Sequence, residues 1–225
     1  MINFHKTYPE PPDLTIERTK TSGNYRTAGV LKMLKEDFHD KCYICEFKNP
    51  ISINIEHFLP HKGNHNLKFN WGNLFLSCAH CNNIKSDRFD NILNCINRDD
   101  YIENKIKLSL APPYITRKVE IVTLSEDIKT LNTATLLDQV YNGTTIMKQI
   151  ESNYIREALS TELLSFTKLI LEYFTTNVPS LKEYLKIKIE SELHVSSAFV
   201  AFKRAIIKED DTLQEHFSYE TILDL

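Results

Sequence analysis

The stretch NIEHFLPH places a carboxylate, Glu56, directly beside an imidazole, His57, inside an otherwise apolar run. Burying a polar side chain without a partner is costly, so two adjacent polar residues in such a run indicate a chemical role. Glu56 is a hard oxygen donor of the kind that Mg²⁺ and Mn²⁺ prefer. His57 has an ordinary pKa of about 6.5, which suits a general base at neutral pH. The pair therefore predicts a hydrolytic site that combines a metal ion with a base.

Two C-x-x-C pairs lie on either side of this stretch, Cys42 with Cys45 and Cys78 with Cys81, and 32 residues separate them. Two such knuckles can converge on one tetrahedral Zn²⁺ held by four thiolates. The separation exceeds the usual spacing of about 15–20 residues, so we expect a hairpin between the knuckles. The alternative, one redox C-x-x-C and a chance pair, lacks a thioredoxin-like βαβ context. Cys95 is predicted to be an ordinary buried thiol.

Amide side chains stand next to these motifs. Asn82 and Asn83 follow the second knuckle directly, so a bound zinc would fix where their oxygens point. Asn73 lies at the entry to a predicted strand, where an amide can hold an imidazole in one orientation. The sequence does not decide between Asn82 and Asn83 as a second oxygen ligand for the catalytic metal.

Three basic side chains are candidates for substrate contacts. Lys85 and Arg88 lie one or two turns into the helix that follows the second knuckle, where they are expected to meet phosphates. His61 ends the NIEHFLPH stretch and either touches the substrate, supports the site or is an ordinary exposed loop histidine.

The elements that position these residues follow from their apolar patterns. ISINIEHF alternates apolar and polar residues and predicts a strand, and LKFNWGNLFLSC predicts its return. A helix is predicted over residues 27–40, before the first knuckle, and another begins at about Asn82. Residues 42–90 therefore predict a ββα unit held together by a metal. The first 25 residues, polar and rich in proline, are expected to form an extended arm.

Beyond residue 100 the pattern becomes mainly helical. A strand is predicted over residues 118–124, and helices are predicted over residues 133–142, 144–174, 180–193 and 195–208. We expect the apolar stripes of the long helix, including Met147, Ile150 and Tyr154, to be packing surfaces. The prediction is an α+β chain with two domains, a zinc-stapled ββα domain over residues 1–100 and a mainly helical domain over residues 101–225.

Composition limits the choice of partners. The chain has 225 residues and a formal net charge of −3, and neither half is basic. A protein that binds nucleic acid unaided usually carries a basic face, so weak binding or help from a partner is expected. No apolar run is long enough to span a bilayer, and the N-terminus has no signal-peptide pattern, so we expect a cytoplasmic protein without a membrane segment.

This arrangement resembles the HNH (ββα-metal) nuclease family, whose core is treble-clef-like. The residues that carry the resemblance are Cys42, Cys45, Glu56, His57, Asn73, Cys78, Cys81 and Asn82. It implies that His57 activates water for attack on a phosphodiester, that Asn73 orients His57 and its loop, and that Glu56 and Asn82 hold Mg²⁺ or Mn²⁺. The cysteine-bound Zn²⁺ would be structural.

Finer features, IEHFLPH and the W-x-N-L before the second knuckle, are similar to the subfamily that includes the PtuB effectors of Septu and retron anti-phage systems. That resemblance implies an ATPase partner, with the helical region as its docking site. DNA is the first expectation for the substrate, and RNA, including tRNA, is the alternative. The competing interpretation is a zinc-stapled module that binds nucleic acid or protein without cutting, because such a module needs the four cysteines and nothing more.

Overall fold

In a computed structural model of the chain, residues 1–114 and 118–217 are described. Within them the protein is a mixed α/β structure with two small antiparallel sheets and a helical C-terminal region. The α-helices are Pro12–Arg18 (α1), Ala28–Asp37 (α2), His65–Lys68 (α3), Ala79–Lys85 (α4), Ile102–Lys105 (α5), Ile128–Asn142 (α6), Ile146–Thr175 (α7), Pro179–Glu192 (α8), Val200–Lys208 (α9) and Asp211–His216 (α10). The strands are Ile53–His57 (β1), Leu74–Cys78 (β2), Ile106–Ser109 (β3) and Glu120–Thr123 (β4). The predicted second domain, residues 101–225, includes 115–117 and 218–225, which lie outside the described residues.

The first sheet is the hairpin predicted between the knuckles. β1 pairs with β2 in antiparallel register, with Glu56 opposite Phe75 and His57 opposite Leu74. Every residue of β2 is buried, so this strand forms the centre of the unit. Helix α4 follows β2 without a loop and packs against both strands. The predicted ββα arrangement is therefore present.

The helical half agrees with its apolar periodicity in most places. The patterns over residues 133–142, 144–174 and 180–193 correspond to α6, α7 and α8. Helix α9 begins at Val200, later than the predicted residue 195, because Phe199 adopts a left-handed conformation with φ of 50°. The predicted strand over residues 118–124 contains β4, but its partner β3 was not predicted.

The N-terminal segment differs from the expected extended arm. It contains α1, in which Pro12 occupies the first turn, a position where the missing N–H costs nothing. Lys6 is buried, and its ammonium donates hydrogen bonds to the carbonyls of Trp71 and Leu74. The buried apolar side chains of this segment are Met1, Ile2, Phe4 and Leu14. The segment is thus part of the core beside the turn that leads into β2.

A continuous apolar core extends across residue 100. It includes buried side chains from α2, β2, α6 and α9, and a second cluster lies among α7, α8 and the residues around α10. The division into two domains at residue 100 stays a prediction, based on composition. None of the helices in the described ranges combines the length and apolar character needed to cross a membrane.

Candidate active site

The four knuckle cysteines converge as their spacing predicts. The sulfur atoms of Cys42, Cys45, Cys78 and Cys81 all lie within 4.8 Å of one another, and all four residues are buried. The Cys45 and Cys78 sulfurs are 3.9 Å apart. Thiolates about 2.3 Å from a tetrahedral Zn²⁺ stand roughly 3.8 Å from each other, so the cluster fits zinc. A group of four thiolates with no carboxylate among them is typical of a structural zinc site.

Backbone hydrogen bonds fix the two knuckles relative to the hairpin. The Cys42 amide donates to the Phe47 carbonyl at 3.0 Å, which closes the first knuckle into a tight turn. The amide of Tyr43 donates to the carbonyl of Leu76 at 3.0 Å and ties that turn to β2. In the second knuckle, Cys78 is the N-cap residue of α4. The metal cluster therefore determines where α4 begins.

The helical half braces the second knuckle through His80. Its Nδ1 lies 2.7 Å from Oε2 of Glu151 on α7, and its Nε2 donates to the carbonyl of Val140 on α6 at 2.9 Å. The hydroxyl of Tyr141 donates to the carbonyl of Cys45 at 2.8 Å and braces the first knuckle. These contacts span more than fifty residues of sequence, and no local pattern could have indicated them.

Glu56 is buried in β1. Its Oε1 accepts a hydrogen bond from the Tyr43 hydroxyl at 3.0 Å and pairs with the Lys85 ammonium at 2.8 Å. Its Oε2 is buried and has no hydrogen-bond partner among the described residues. Burial raises the pKa of Glu56 above its ordinary value, and the ion pair with Lys85 offsets only part of that rise. One carboxylate oxygen is thus available to a cation.

Lys85 and Arg88, the predicted phosphate contacts, are occupied by other groups. The Lys85 side chain is completely buried, and its ammonium also donates to the His57 carbonyl at 3.2 Å. The guanidinium of Arg88, an exposed residue, donates to the carbonyl of Ile84 at 2.8 Å. Lys85 therefore neutralises Glu56 from within the core, and a phosphate contact for either residue stays a prediction.

His57 is half-buried at the end of β1, and its ring has a defined orientation. Its Nε2 lies 3.0 Å from the carbonyl oxygen of Lys68. A carbonyl can only accept a hydrogen bond, so Nε2 carries the proton and Nδ1 keeps its lone pair. Two aromatic rings flank the imidazole, that of Tyr25 at 4.5 Å and that of His61 at 4.6 Å between ring centres.

Burial lowers the pKa of His57 below its ordinary value. The hydrogen bond to the Lys68 carbonyl acts in the opposite direction, and electrostatic interactions with His61 and Arg26 lower the pKa of His57 further. The neutral imidazole that a general base requires is therefore the favoured form at neutral pH.

Asn73 holds the loop that supports His57. Its amide nitrogen donates to the carbonyls of Leu59 at 2.9 Å and Leu67 at 3.1 Å, and its oxygen accepts from the Leu59 amide at 2.7 Å. Lys68, the partner of His57, follows Leu67 directly in this loop. Asn73 thus contacts the loop and not the imidazole, and any orienting effect on His57 is transmitted through the backbone at Lys68.

Asn82 lies in the first turn of α4, three residues before Lys85, so the two side chains share one face of the helix. That face is directed towards Glu56, because Lys85 pairs with it. Asn82 is partly exposed, and its amide makes no side-chain hydrogen bond within the described ranges. Asn83, the alternative ligand, is exposed. An amide oxygen and the free oxygen of Glu56 are donors that suit a hard divalent cation.

Sequence reasoning missed Tyr25 and Arg26, which lie in the connection between α1 and α2. Tyr25 packs its ring against His57, and Arg26 lies over the ring of Tyr25, 5.3 Å from its centre. Neither residue belongs to a motif or to a periodic stripe, so no sequence signal would have placed them at the site.

A comparison with protein families agrees with this geometry. Residues 42–88 match the family model described as HNH endonuclease. The matched segment contains both knuckles, the β1–β2 hairpin and α4, and it therefore constitutes an HNH endonuclease domain. Such a domain indicates nuclease activity and implies a nucleic-acid substrate. No match to the chain was found among curated proteins.

Replacing one zinc ligand tests the cysteine cluster. We expect Cys42→Ser or Cys78→Ser to yield protein that is insoluble or unfolded, because a small ββα unit loses its metal-derived folding energy with one of four thiolates. Cys95→Ala is the matched control, since Cys95 is equally buried but lies outside the cluster. The measurement is zinc content per chain together with solubility. Purified protein without bound zinc would contradict the assignment.

The buried ion pair gives a second test. Lys85→Met should lower the free energy of unfolding by about 3–5 kcal/mol, because it leaves the Glu56 carboxylate buried and unpaired. Arg88→Met, which removes a cation from an exposed residue on the same segment, should cost less than about 1 kcal/mol. Urea unfolding of the zinc-loaded proteins measures both. The double variant Glu56→Gln/Lys85→Met should recover part of the lost stability. Equal stability of Lys85→Met and Arg88→Met would exclude the ion pair.

Proposed function

We propose that this protein is a metal-dependent HNH endonuclease that hydrolyses phosphodiester bonds in nucleic acid. The observation that carries the proposal is the orientation of His57. Its Nε2 is committed to the Lys68 carbonyl, so its Nδ1 keeps a lone pair, and Glu56, the preceding residue of β1, has one carboxylate oxygen without a hydrogen-bond partner among the described residues. A base and a metal ligand on adjacent residues of one strand can act on the two sides of a single phosphate, since neighbouring side chains leave a strand in opposite directions.

In this mechanism Nδ1 of His57 accepts a proton from the attacking water. The Lys68 carbonyl holds the resulting imidazolium by accepting the hydrogen bond from Nε2, and Asn73 keeps the loop around Lys68 in place. A lowered pKa keeps the base unprotonated before each reaction, at a moderate cost in proton affinity.

The Glu56 Oε2 atom and the Asn82 amide oxygen are the proposed ligands for Mg²⁺ or Mn²⁺, with Asn83 as the alternative to Asn82. A bound divalent cation would supply charge stabilisation for the phosphate and for the leaving oxygen. Lys85 and Tyr43 hold the other oxygen of Glu56, and this keeps the carboxylate in one orientation.

Substituting His57 separates a nuclease from a non-catalytic binding module. His57→Ala should abolish Mg²⁺- or Mn²⁺-dependent cleavage while zinc content and fold are retained, because the zinc ligands do not include this residue. His65→Ala is the matched control, since His65 is an exposed histidine of α3, between β1 and β2, and its ring hydrogen-bonds the Arg18 carbonyl. Digestion of plasmid, single-stranded DNA and tRNA measures activity and decides between DNA and RNA. Unchanged cleavage by His57→Ala would remove the proposed base.

We further propose that the nuclease is a cytoplasmic effector in anti-phage defence, similar to the PtuB group, and that an ATPase is its partner. The W-x-N-L turn, Trp71 to Leu74, supports this together with an apolar stripe on α7. That stripe was expected to be a packing surface, but its side chains are exposed: Met147, Ile150 and Tyr154. A partner that covered the stripe would bury this apolar area.

Co-expression tests the partner. We expect an ATPase encoded next to this protein to co-purify with it, and Ile150→Asp to weaken the complex by placing a charge in the apolar stripe. Gel filtration of the two proteins, expressed together and separately, is the measurement. Separate elution of the unmodified proteins would contradict the partnership and leave the nuclease chemistry unaffected.

A further inference from the structure

The connection between α1 and α2 forms one wall of the candidate active site. Tyr25 in this connection lies edge-on to the His57 ring, with an angle of 69° between the ring planes. The Lys68 ammonium donates to the Gly23 carbonyl at 2.9 Å, and the Lys68 carbonyl accepts from His57. A single residue therefore holds both the base and the wall beside it.

Arg26 is an exposed cation of this wall. Its guanidinium lies over the Tyr25 ring, and that ring packs against the His57 imidazole. Within the described ranges Arg26 forms no ion pair, whereas Arg18 on the preceding helix pairs with Glu10 at 2.5 Å. An arginine lying on an aromatic face is held in position and keeps its N–H donors for a ligand.

We propose that Arg26 binds a phosphate of the nucleic-acid substrate next to the phosphate that His57 attacks. The proposal rests on the nuclease function and adds a substrate contact to it. A guanidinium can donate two parallel hydrogen bonds to one phosphate, which fixes position as well as charge. Tyr25 fixes the position of Arg26 relative to His57, because its ring contacts both of these side chains.

A phosphate contact from Arg26 would supply positive charge that Lys85 and Arg88 do not offer to the substrate. Lys85 is buried against Glu56, and the Arg88 guanidinium donates to a backbone carbonyl. A chain with a net charge of −3 offers little general attraction for a polyanion. Arg26 is therefore expected to contribute a measurable share of substrate affinity.

The salt dependence of binding tests the assignment. In a His57→Ala background, which cannot cut the probe, Arg26→Ala should make the negative slope of log affinity against log salt concentration less steep. The expected decrease is about 0.9 for a fluorescein-labelled DNA duplex and about 0.7 for a labelled single strand, because one phosphate contact is lost. Arg26→Lys should keep the slope, since it retains the charge. Zinc content and thermal melting should not change in either variant.

Lys188→Ala is the matched control. Lys188 is also an exposed cation over a tyrosine ring, 5.4 Å from the centre of Tyr184, but it belongs to α8. It should leave the slope unchanged. An unchanged slope in Arg26→Ala, an equal decrease in Lys188→Ala, or binding to neither probe would overturn the proposal. If the unmodified protein cleaves nucleic acid but Arg26→Ala leaves the slope unchanged, only this contact is refuted. If the unmodified protein does not cleave nucleic acid, the proposed nuclease function itself is refuted.

Discussion

The approach of four buried sulfur atoms to within 4.8 Å of one another is the constraint on which the site depends. Four such thiolates cannot lie together in an apolar interior without a cation to balance their charge. The first pair precedes β1, and the second pair ends β2 and begins α4. Closing the cluster therefore sets the start of the helix that carries Asn82 and Lys85 against the strand that carries Glu56.

Around this cluster, the backbone positions the catalytic candidates as much as side chains do. A carbonyl of Lys68 selects the tautomer of His57, and Asn73 holds the neighbouring carbonyl of Leu67. Carbonyl acceptors cannot change their protonation, so they set the state of an imidazole without titrating themselves. The helical half adds rigidity through His80, whose ring contacts both α6 and α7.

Much of the architecture could be predicted because its signals are local. The two C-x-x-C turns, the alternation in β1 and the periodicity of α6 and α7 each lie within a few residues of sequence. The rest depends on contacts that are distant along the chain. Nothing in the sequence around Lys85 distinguishes a phosphate ligand from a buried partner of Glu56, and burial of Lys6 beside Trp71 could not be recognised in a proline-rich segment.

The same holds for short elements that depend on a partner. β3 spans four residues and is a strand because β4 pairs with it, so its own sequence carries little signal. The position of Tyr25 against His57 likewise results from how α1 and α2 pack, not from any motif.

The buried ion pair also bears on which divalent ion the proposed site at Glu56 would accept. One oxygen of Glu56 is held by Lys85 and Tyr43, so a cation at this position meets a carboxylate able to coordinate through a single atom. Ca²⁺ gains from bidentate carboxylates and from six to eight oxygen ligands, whereas Mg²⁺ accepts one or two carboxylates and keeps much of its water shell. A lysine in the core would thereby bias the proposed cation site against calcium before any substrate arrives.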